Sequence, residues 1–450
     1  MATIAANKKP NKRMTTAETL AIDGGPKACA GFAGKVEPKI GVDDFLAIAK
    51  RFGFSEPAMK RIRAAVDDAD LPVGGPTLSR FYTTNPKPAA GEVYQEAAKK
   101  KFGVKYAIPV SSGTGALHAA YVGVGVGPGT EVICPAVGFL ATSMAVCLAG
   151  GTPVFCDIDT SMQLDPSKVE ASITKRTVAV VPTHHWGGVA DLDPIVAVAR
   201  RHKIKVVEDC AQAPGGKYKG RYVGTVGDAG CFSISAYKLI GASESGLLLT
   251  NDLRTYERAY QLAEAGGLWR PNRFAAPRYE GELFPGTNYR MSELEAAVDL
   301  VQLGKMDGII RRNNAAKRTV LKGLNPYREI EPEKSNDREG EPGYVLRFFP
   351  QTPELGQKIA AALAAEGVGA FCRGRNPGPD WHIYHDMFPV TLQLGIKRGV
   401  CPVADGLWER VVSVGIDQWW TTADCRNVAK AINKVLSAYC TEDPKAKKWL

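Results

Sequence analysis

One lysine, Lys238, stands between an apolar, hydroxyl-bearing run (CFSIS, residues 231–235) and a run of small residues (GASESG, 241–246). Burying an ammonium is costly unless something neutralises or uses it, so a lysine in this company is a candidate nucleophile or base. Ser233 and Ser235 precede it. Upstream, EDCAQA (208–213) carries the carboxylate Asp209 and the amide Gln212, and SSGTGALHAA (111–120) places Gly113 and Thr114 where a helix opens. Free backbone N–H groups at such a start suit an anion. Phe139, in ICPAVGFLATS, offers a ring. Singly, each has a plainer reading: capping serines, a capping aspartate, a core phenylalanine.

These residues follow short apolar runs rich in β-branched residues: KYAIPV, TEVICPA, TPVFCDI, TVAVVPT, KVVEDC, GCFSIS and GLLLT, separated by helix-length segments. Continuous apolar strands alternating with helices imply an α/β domain with a mostly parallel sheet covered on both faces, where ligands bind beyond the carboxyl ends of the strands. At such an edge, a lysine for imine formation, a carboxylate for a ring nitrogen, donors for a phosphate and a ring for stacking are what pyridoxal 5'-phosphate requires. The large domain is expected over 36–312, after an N-terminal extension (1–35), and ends in a long helix pattern over 291–324. A smaller α+β domain is expected over 313–450, with a strand at YVLRFFP, a helix at ELGQKIAAALAAEG, a strand at GAFC and a final helix at DCRNVAKAINKVLSAY.

Composition narrows the class. The 450 residues are 45% hydrophobic, enough for a large core, and 57 Lys and Arg against 47 Asp and Glu give a net +10. The basic residues are scattered apart from NKKPNKR and KAKKW, without zinc-ligand spacing or an RNA-binding aromatic signature, which disfavours nucleic acid. No apolar window reaches membrane-spanning length and the ten cysteines suggest no disulfide framework, so a cytoplasmic enzyme with no membrane partner is expected.

Several stretches, in order, resemble the DegT/DnrJ/EryC1/StrS family of sugar aminotransferases, which has the aspartate aminotransferase fold (fold type I). They are SSGTGALHAA, GPGTEVICPAVGFLATSMAVCLAGGTPVFCDID, VVEDCAQAPGGKYKGRYVGTVGDAGCFSIS, GTNYRMSELEAAVDLVQL and CPVADGLWERVVSV. The resemblance implies that Lys238 forms the Schiff base with pyridoxal phosphate and that Asp209 pairs with the pyridine nitrogen. It places Gln212 near the ring, Phe139 in the stacking position, and Gly113, Thr114 and Ser233 at the phosphate. Asn288, in GTNYRMSE, corresponds to a residue reaching the phosphate of the neighbouring subunit, which implies a homodimer with shared sites. The implied reaction moves an amino group from glutamate or glutamine to a keto sugar, nucleotide-linked keto sugar or keto cyclitol. A dehydratase or aminobenzoate-type synthase on the same scaffold, or a cofactor-binding regulator, is the alternative; Lys238 argues against the dehydratases, which carry histidine there.

Two departures bear on the site. The family's GEGG after the lysine reads SESG, Ser243–Gly246, so two glycines have become serines. Its Val-His motif reads THHWGG, with His184 in the matching place and His185 and Trp186 added; a His pair without a third ligand at metal spacing suggests packing or substrate contact and no metal. Arg270 and Arg273, in GLWRPNRFAAPRYEGELFPG, and Arg375 and His382, in FCRGRNPGPDWHIYHDMF, are further candidates for the substrate.

Overall fold

The computed structural model describes residues 19–29, 31, 37–79, 86–266, 283–376 and 378–450. The chain divides into two compact units, Met1–Thr77 and Leu78–Leu450. In the first, helices α1 (Val42–Arg51) and α2 (Glu56–Ala64) are capped by Asp44, which accepts from Gly41 N at 2.8 Å, and by Ser55 Oγ; Arg63 joins Asp43 across them at 2.9 Å.

The second unit runs α3 (Ala90–Phe102), β1 (Tyr106–Val110), α4 (Gly113–Gly123), β2 (Glu131–Pro135), α5 (Ala141–Leu148), β3 (Thr152–Cys156), α6 (Pro166–Val169), β4 (Thr177–Val180), α7 (Leu192–His202) and β5 (Lys205–Asp209). A small hairpin, β6 (Lys217–Tyr218) and β7 (Arg221–Tyr222), precedes β8 (Ala229–Ser233), β9 (Gly246–Thr250), α8 (Leu253–Ala263) and the thirty-residue α9 (Glu293–Lys322). Then come β10 (Ile330–Pro332), β11 (Val345–Pro350), α10 (Pro353–Ala365), β12 (Ala370–Phe371), α11 (Phe388–Leu394), α12 (Pro402–Arg410), β13 (Val412–Gly415) and α13 (Thr422–Tyr439).

The seven apolar runs form one seven-stranded sheet, ordered β1-β9-β8-β5-β4-β2-β3. The pairs among β2, β3, β4, β5 and β8 are parallel, whereas β9 is antiparallel to both β1 and β8. Every residue of β2, β8 and β9 is buried, as helices on both faces demand. The expected helix-length spacer is missing between β8 and β9: antiparallel neighbours need no crossover, and residues 234–245 form a hairpin. That hairpin carries Lys238.

Beyond α9, β10-β11-β13-β12 make a small antiparallel sheet. Serine 292 starts α9, its hydroxyl accepting from Glu295 N at 3.1 Å. One turn after another, α9 then serves two cores: Ala296, Leu303, Met306 and Ile309 pack with the large sheet, and Ala316 and Val320 with the small one. All ten cysteines are free. Among the described residues no helix is long and apolar enough to cross a membrane.

Candidate active site

Every strand of the large sheet except β9 runs the same way, so the ends of β1, β2, β4, β5 and β8 open on one edge. After β1, Ser112 caps α4 by accepting from Gly115 N at 3.0 Å. Helix geometry leaves the N–H groups of Gly113 and Thr114 for a partner outside the helix. Glycine is required at 113 because a Cβ there would stand 2.7 Å from Ser233 Cβ and 3.1 Å from Ser233 Cα. The start of α4 and the end of β8 therefore close on each other as a small cradle, with the Ser233 and Ser235 hydroxyls 3.4 Å apart beside it.

Lys238 is tied by its own N–H to Ser235 O at 2.9 Å within the hairpin. Its side chain is largely buried, and that desolvation lowers its pKa although the charges of Asp209 and Glu244 pull the other way. An amine so placed is a better nucleophile at neutral pH than a surface lysine. Asp209, at the last position of β5 and 4% exposed, is fixed through Thr142 Oγ1, which donates to Oδ2 at 2.6 Å, and Ala211 N, which donates to Oδ1 at 3.1 Å. Two donors leave its carboxylate with acceptor capacity to spare. Thr142, in the first turn of α5, was missed by the sequence reading; a hydroxyl just after a strand-end loop is the only signal it gives.

A half-buried amine, a fixed carboxylate and a glycine cradle for an anion fit pyridoxal phosphate. Phe139, 38% exposed at the end of β2, presents a ring at the same edge. Gln212 is occupied: its Oε1 accepts from Trp186 N at 2.8 Å, and its carbonyl accepts from Tyr344 OH at 2.7 Å.

His184 is fully buried, and both its nitrogens are engaged. Nδ1 accepts from Ala190 N at 3.1 Å, so Nε2 bears the proton and meets Glu208 Oε2 at 3.2 Å. Glu208 also accepts from Gly224 N, Val226 N and Gly227 N at 2.7 to 2.8 Å. His184, Glu208 and Cys210 lie within 4.8 Å of one another, but with the carboxylate met by four donors and burial pushing the Cys210 thiol well up, the cluster is an internal knot that anchors β5.

His185 differs: it is fully buried with neither ring nitrogen hydrogen-bonded. Burial first, then the charges of Arg347, His382 and Lys238, hold its pKa well below the usual histidine value, so it is neutral. It stacks on Trp186 at 4.7 Å, in a cluster with Trp408 and His382. Trp186 adopts left-handed backbone (φ 46°), and His382 lies 5.6 Å from Phe139. Asp380 organises this wall. It accepts from His382 N at 3.0 Å and from Trp408 Nε1 at 3.0 Å, and lies 3.4 Å from Arg373 Nε. Burial alone would raise its pKa, but the hydrogen bonds from His382 and Trp408 outweigh it and bring it to about 2. Trp408 and Asp380 lie in the stretches CPVADGLWERVVSV and FCRGRNPGPDWHIYHDMF, but nothing in their sequence singles them out as wall residues.

The remaining candidates are scattered. Arg375 turns to Glu354 at 3.1 Å and Glu409 at 3.7 Å, away from the aromatic cluster's contacts. Asn288 is exposed; its Oδ1 accepts from Arg290 N at 3.2 Å, and the next carbonyl, Tyr289 O, accepts from Ser111 N at 2.7 Å, which lays this turn against the end of β1 in its own chain. Arg270 and Arg273 lie outside the described residues.

The model of the DegT/DnrJ/EryC1/StrS aminotransferase family matches residues 87–433. GDP-perosamine synthase of Caulobacter vibrioides is 42% identical over 354 residues, 76% of this chain and 89% of that protein. Of solved structures, the aminotransferase from Psychrobacter cryohalolentis superposes with a TM-score of 0.68 at 26% identity, covering 78% of this chain and 91% of its own. DesV of S. venezuelae, solved in complex with a ketimine intermediate, gives 0.66 at 28%, covering 77% and 89%. The family match takes in the whole large sheet, the Lys238 hairpin and the Asp380–Trp408 wall; the chain belongs to the DegT/DnrJ/EryC1/StrS family and is a pyridoxal-phosphate-dependent aminotransferase.

Proposed function

We propose that this enzyme moves an amino group from glutamate or glutamine to a keto sugar carried on a nucleoside diphosphate. The observation that carries this reading is the 42% identity with GDP-perosamine synthase over 89% of that protein, whose name puts its product on GDP. Bound pyridoxal phosphate supplies an electron sink for the charge left at carbon when a proton departs. This chain's residues do the rest. Lys238 holds the cofactor aldehyde covalently and, once freed, carries a proton to and from the donor's α-carbon. Asp209, fixed by Thr142, sets a negative charge against the ring nitrogen. The Gly113 and Thr114 N–H groups with Ser233 bind the phosphate, and Phe139 covers the ring. On the acceptor side, Trp186 and His382 offer a half-exposed surface backed by buried Trp408.

The enzyme acts as a homodimer in which Asn288 of each chain serves its partner's phosphate site. Its exposure, on a turn held against β1, supports this. Mixing inactive Lys238→Ala with inactive Asn288→Asp chains should restore activity in hybrid dimers; none in hybrids shown to form refutes the shared site.

Two measurements test the function. Borohydride reduction followed by peptide mapping should find the cofactor on Lys238. Incubation with 15N-glutamate or 15N-glutamine and a panel of keto acceptors, free and nucleotide-linked, should label only the latter. Amination of free keto cyclitols and of no nucleotide-linked sugar would overturn the acceptor class.

A further inference from the structure

Beneath the Lys238 hairpin lies a carboxyl group that the chemistry above does not use. Asp299, on α9, is completely buried, and neither of its oxygens has a formed hydrogen bond; the hydroxyl of Tyr94, reaching in from α3 and equally buried, has none either. Three polar atoms left unpaired in a core are costly, and a charged carboxylate among them is costlier still. Asp299 is also well placed to be felt at the active site. Glu295 and Asp299, four residues apart, share one face of α9, and Ser243 and Ser245 stand on the hairpin's returning arm, the second completely buried. Glu295 Oε1 accepts from Ser243 N at 2.8 Å, and the Ser245 hydroxyl acts on Asp299. These serines are the two residues by which the loop departs from the family's GEGG.

We infer that Asp299 is a positioning residue: it holds a proton in the working enzyme and, through Ser245, sets the hairpin that presents Lys238. Serine has one proton to donate. With Asp299 neutral, Ser245 Oγ is free to donate to Ile234 O, at 3.3 Å, beside the backbone bond from Ile234 N to Ser245 O at 2.9 Å; together these close the base of the hairpin. With Asp299 ionised, the carboxylate competes for that proton and the side-chain bond to Ile234 is lost. The groups facing Asp299 favour the neutral form. Burial acts first, the Glu295 charge pushes the same way, and only Ser245 opposes; the Asp299 pKa stands at about 7. Tyr94, its pKa raised by burial and by Asp299, stays protonated. A folded chain that keeps this proton where an unfolded aspartate has lost it becomes less stable as pH rises from the carboxylate range to about 7, and levels off above.

The inference rests on Lys238 being the cofactor's lysine, which borohydride mapping tests by itself. Holoenzyme and its Asp299→Asn variant are compared from about pH 6 to about pH 9 by amide hydrogen exchange of the 234–245 peptide, corrected for the intrinsic pH dependence, by thermal midpoint, and by rate with glutamate. About one pH unit above its pKa the ionised form outnumbers the neutral roughly tenfold. Wild-type hairpin protection should therefore fall across about pH 7, with the rate and the midpoint following. Asparagine, which donates as the neutral acid does, should show none of these steps; its hairpin protection and rate should match wild type at the acid end, while its midpoint, with no carboxyl to ionise in the unfolded chain, should not fall with pH through this residue. A step of unchanged size in Asp299→Asn overturns the inference. If that variant does not fold, Ser245→Ala decides: the midpoint should still follow pH, because Asp299 still titrates, while the hairpin should not. A hairpin that still tracks pH in Ser245→Ala overturns the link. Cofactor label on a lysine other than Lys238 would refute the site assignment, and hydrogen exchange would still read the Asp299 link.

Discussion

Replacing Gly113 by alanine asks one methyl group to test the phosphate cradle. The added Cβ would lie 2.7 Å from Ser233 Cβ, where carbon atoms in contact rest at about 3.5 Å or more. The start of α4 and the end of β8 must part by roughly 0.8 Å, since neither atom is the far end of a flexible chain. Hydrogen bonds hold over about 2.7–3.2 Å, so a bond of ordinary length from Gly113 or Thr114 N–H to a phosphate oxygen is broken by such a shift. Losing one or two charge-assisted bonds at about 1.5–3 kcal/mol each puts the loss at about 1.5–6 kcal/mol, or about 10-fold to more than 10,000-fold in cofactor affinity. Titrating the apoenzyme with pyridoxal phosphate and following its absorbance measures this directly. Gly304→Ala is the control: it sits in α9 with open space where its Cβ would be, so affinity should hold while the helix gains about 0.5–1 kcal/mol. An affinity for Gly113→Ala within about threefold of wild type would refute the cradle.

Asp209→Asn keeps the shape that Thr142 and Ala211 grip but removes the charge, and turnover should fall on the order of a hundredfold or more, read as kcat with saturating cofactor. An unchanged rate in the half-reaction with glutamate would leave Asp209 a purely structural group. Glu208→Gln turns an amide NH2 toward N–H groups that now donate to a carboxylate, so two buried bonds are lost whichever way it faces; a destabilisation of roughly 2–6 kcal/mol should appear in urea unfolding. If Lys238 takes the cofactor, attachment needs its neutral amine, whose pKa burial lowers, so the rate should rise with pH and level off at a lower pH than an ordinary lysine would require. Stopped-flow mixing with the apoenzyme measures the profile.

The large sheet was legible because strands buried on both faces leave nearly continuous apolar runs, and all seven runs became its strands. The residues that follow them, Gly113, Phe139, Asp209, Ser233 and Lys238, came with them, since a strand-end position is a local property of sequence. Two short strands of the small domain were less legible: β10 and β13 are three and four residues long and take their register from β11. His184 illustrates another limit. Its type and place suggested packing or a contact with substrate; Ala190 N and Glu208 occupy both nitrogens, and partners drawn from other elements leave no periodicity from which to choose. Asp380 and Trp408 form their part of the wall for the same reason, through a pairing across 28 residues that no motif encodes.

The stitching of Phe139's loop sets an order of events. Gly138 N donates to His382 O at 3.0 Å, Leu140 N to Trp381 O at 2.8 Å, and Tyr384 N to Ala136 O at 2.9 Å. The first of these joins residues 244 apart in the chain (382 minus 138). The equilibrium cost of closing so long a loop grows only with the logarithm of its length, so stability bears it easily. The time needed to find the contact bears it less well. On the ribosome, the sheet and the Lys238 hairpin emerge before Trp381, and Phe139 waits without its backing for well over a hundred further residues of synthesis. A nascent chain released before residue 384 would hold the lysine and the carboxylate but lack the segment that backs Phe139's loop, so that loop is among the last parts of the site to be fixed.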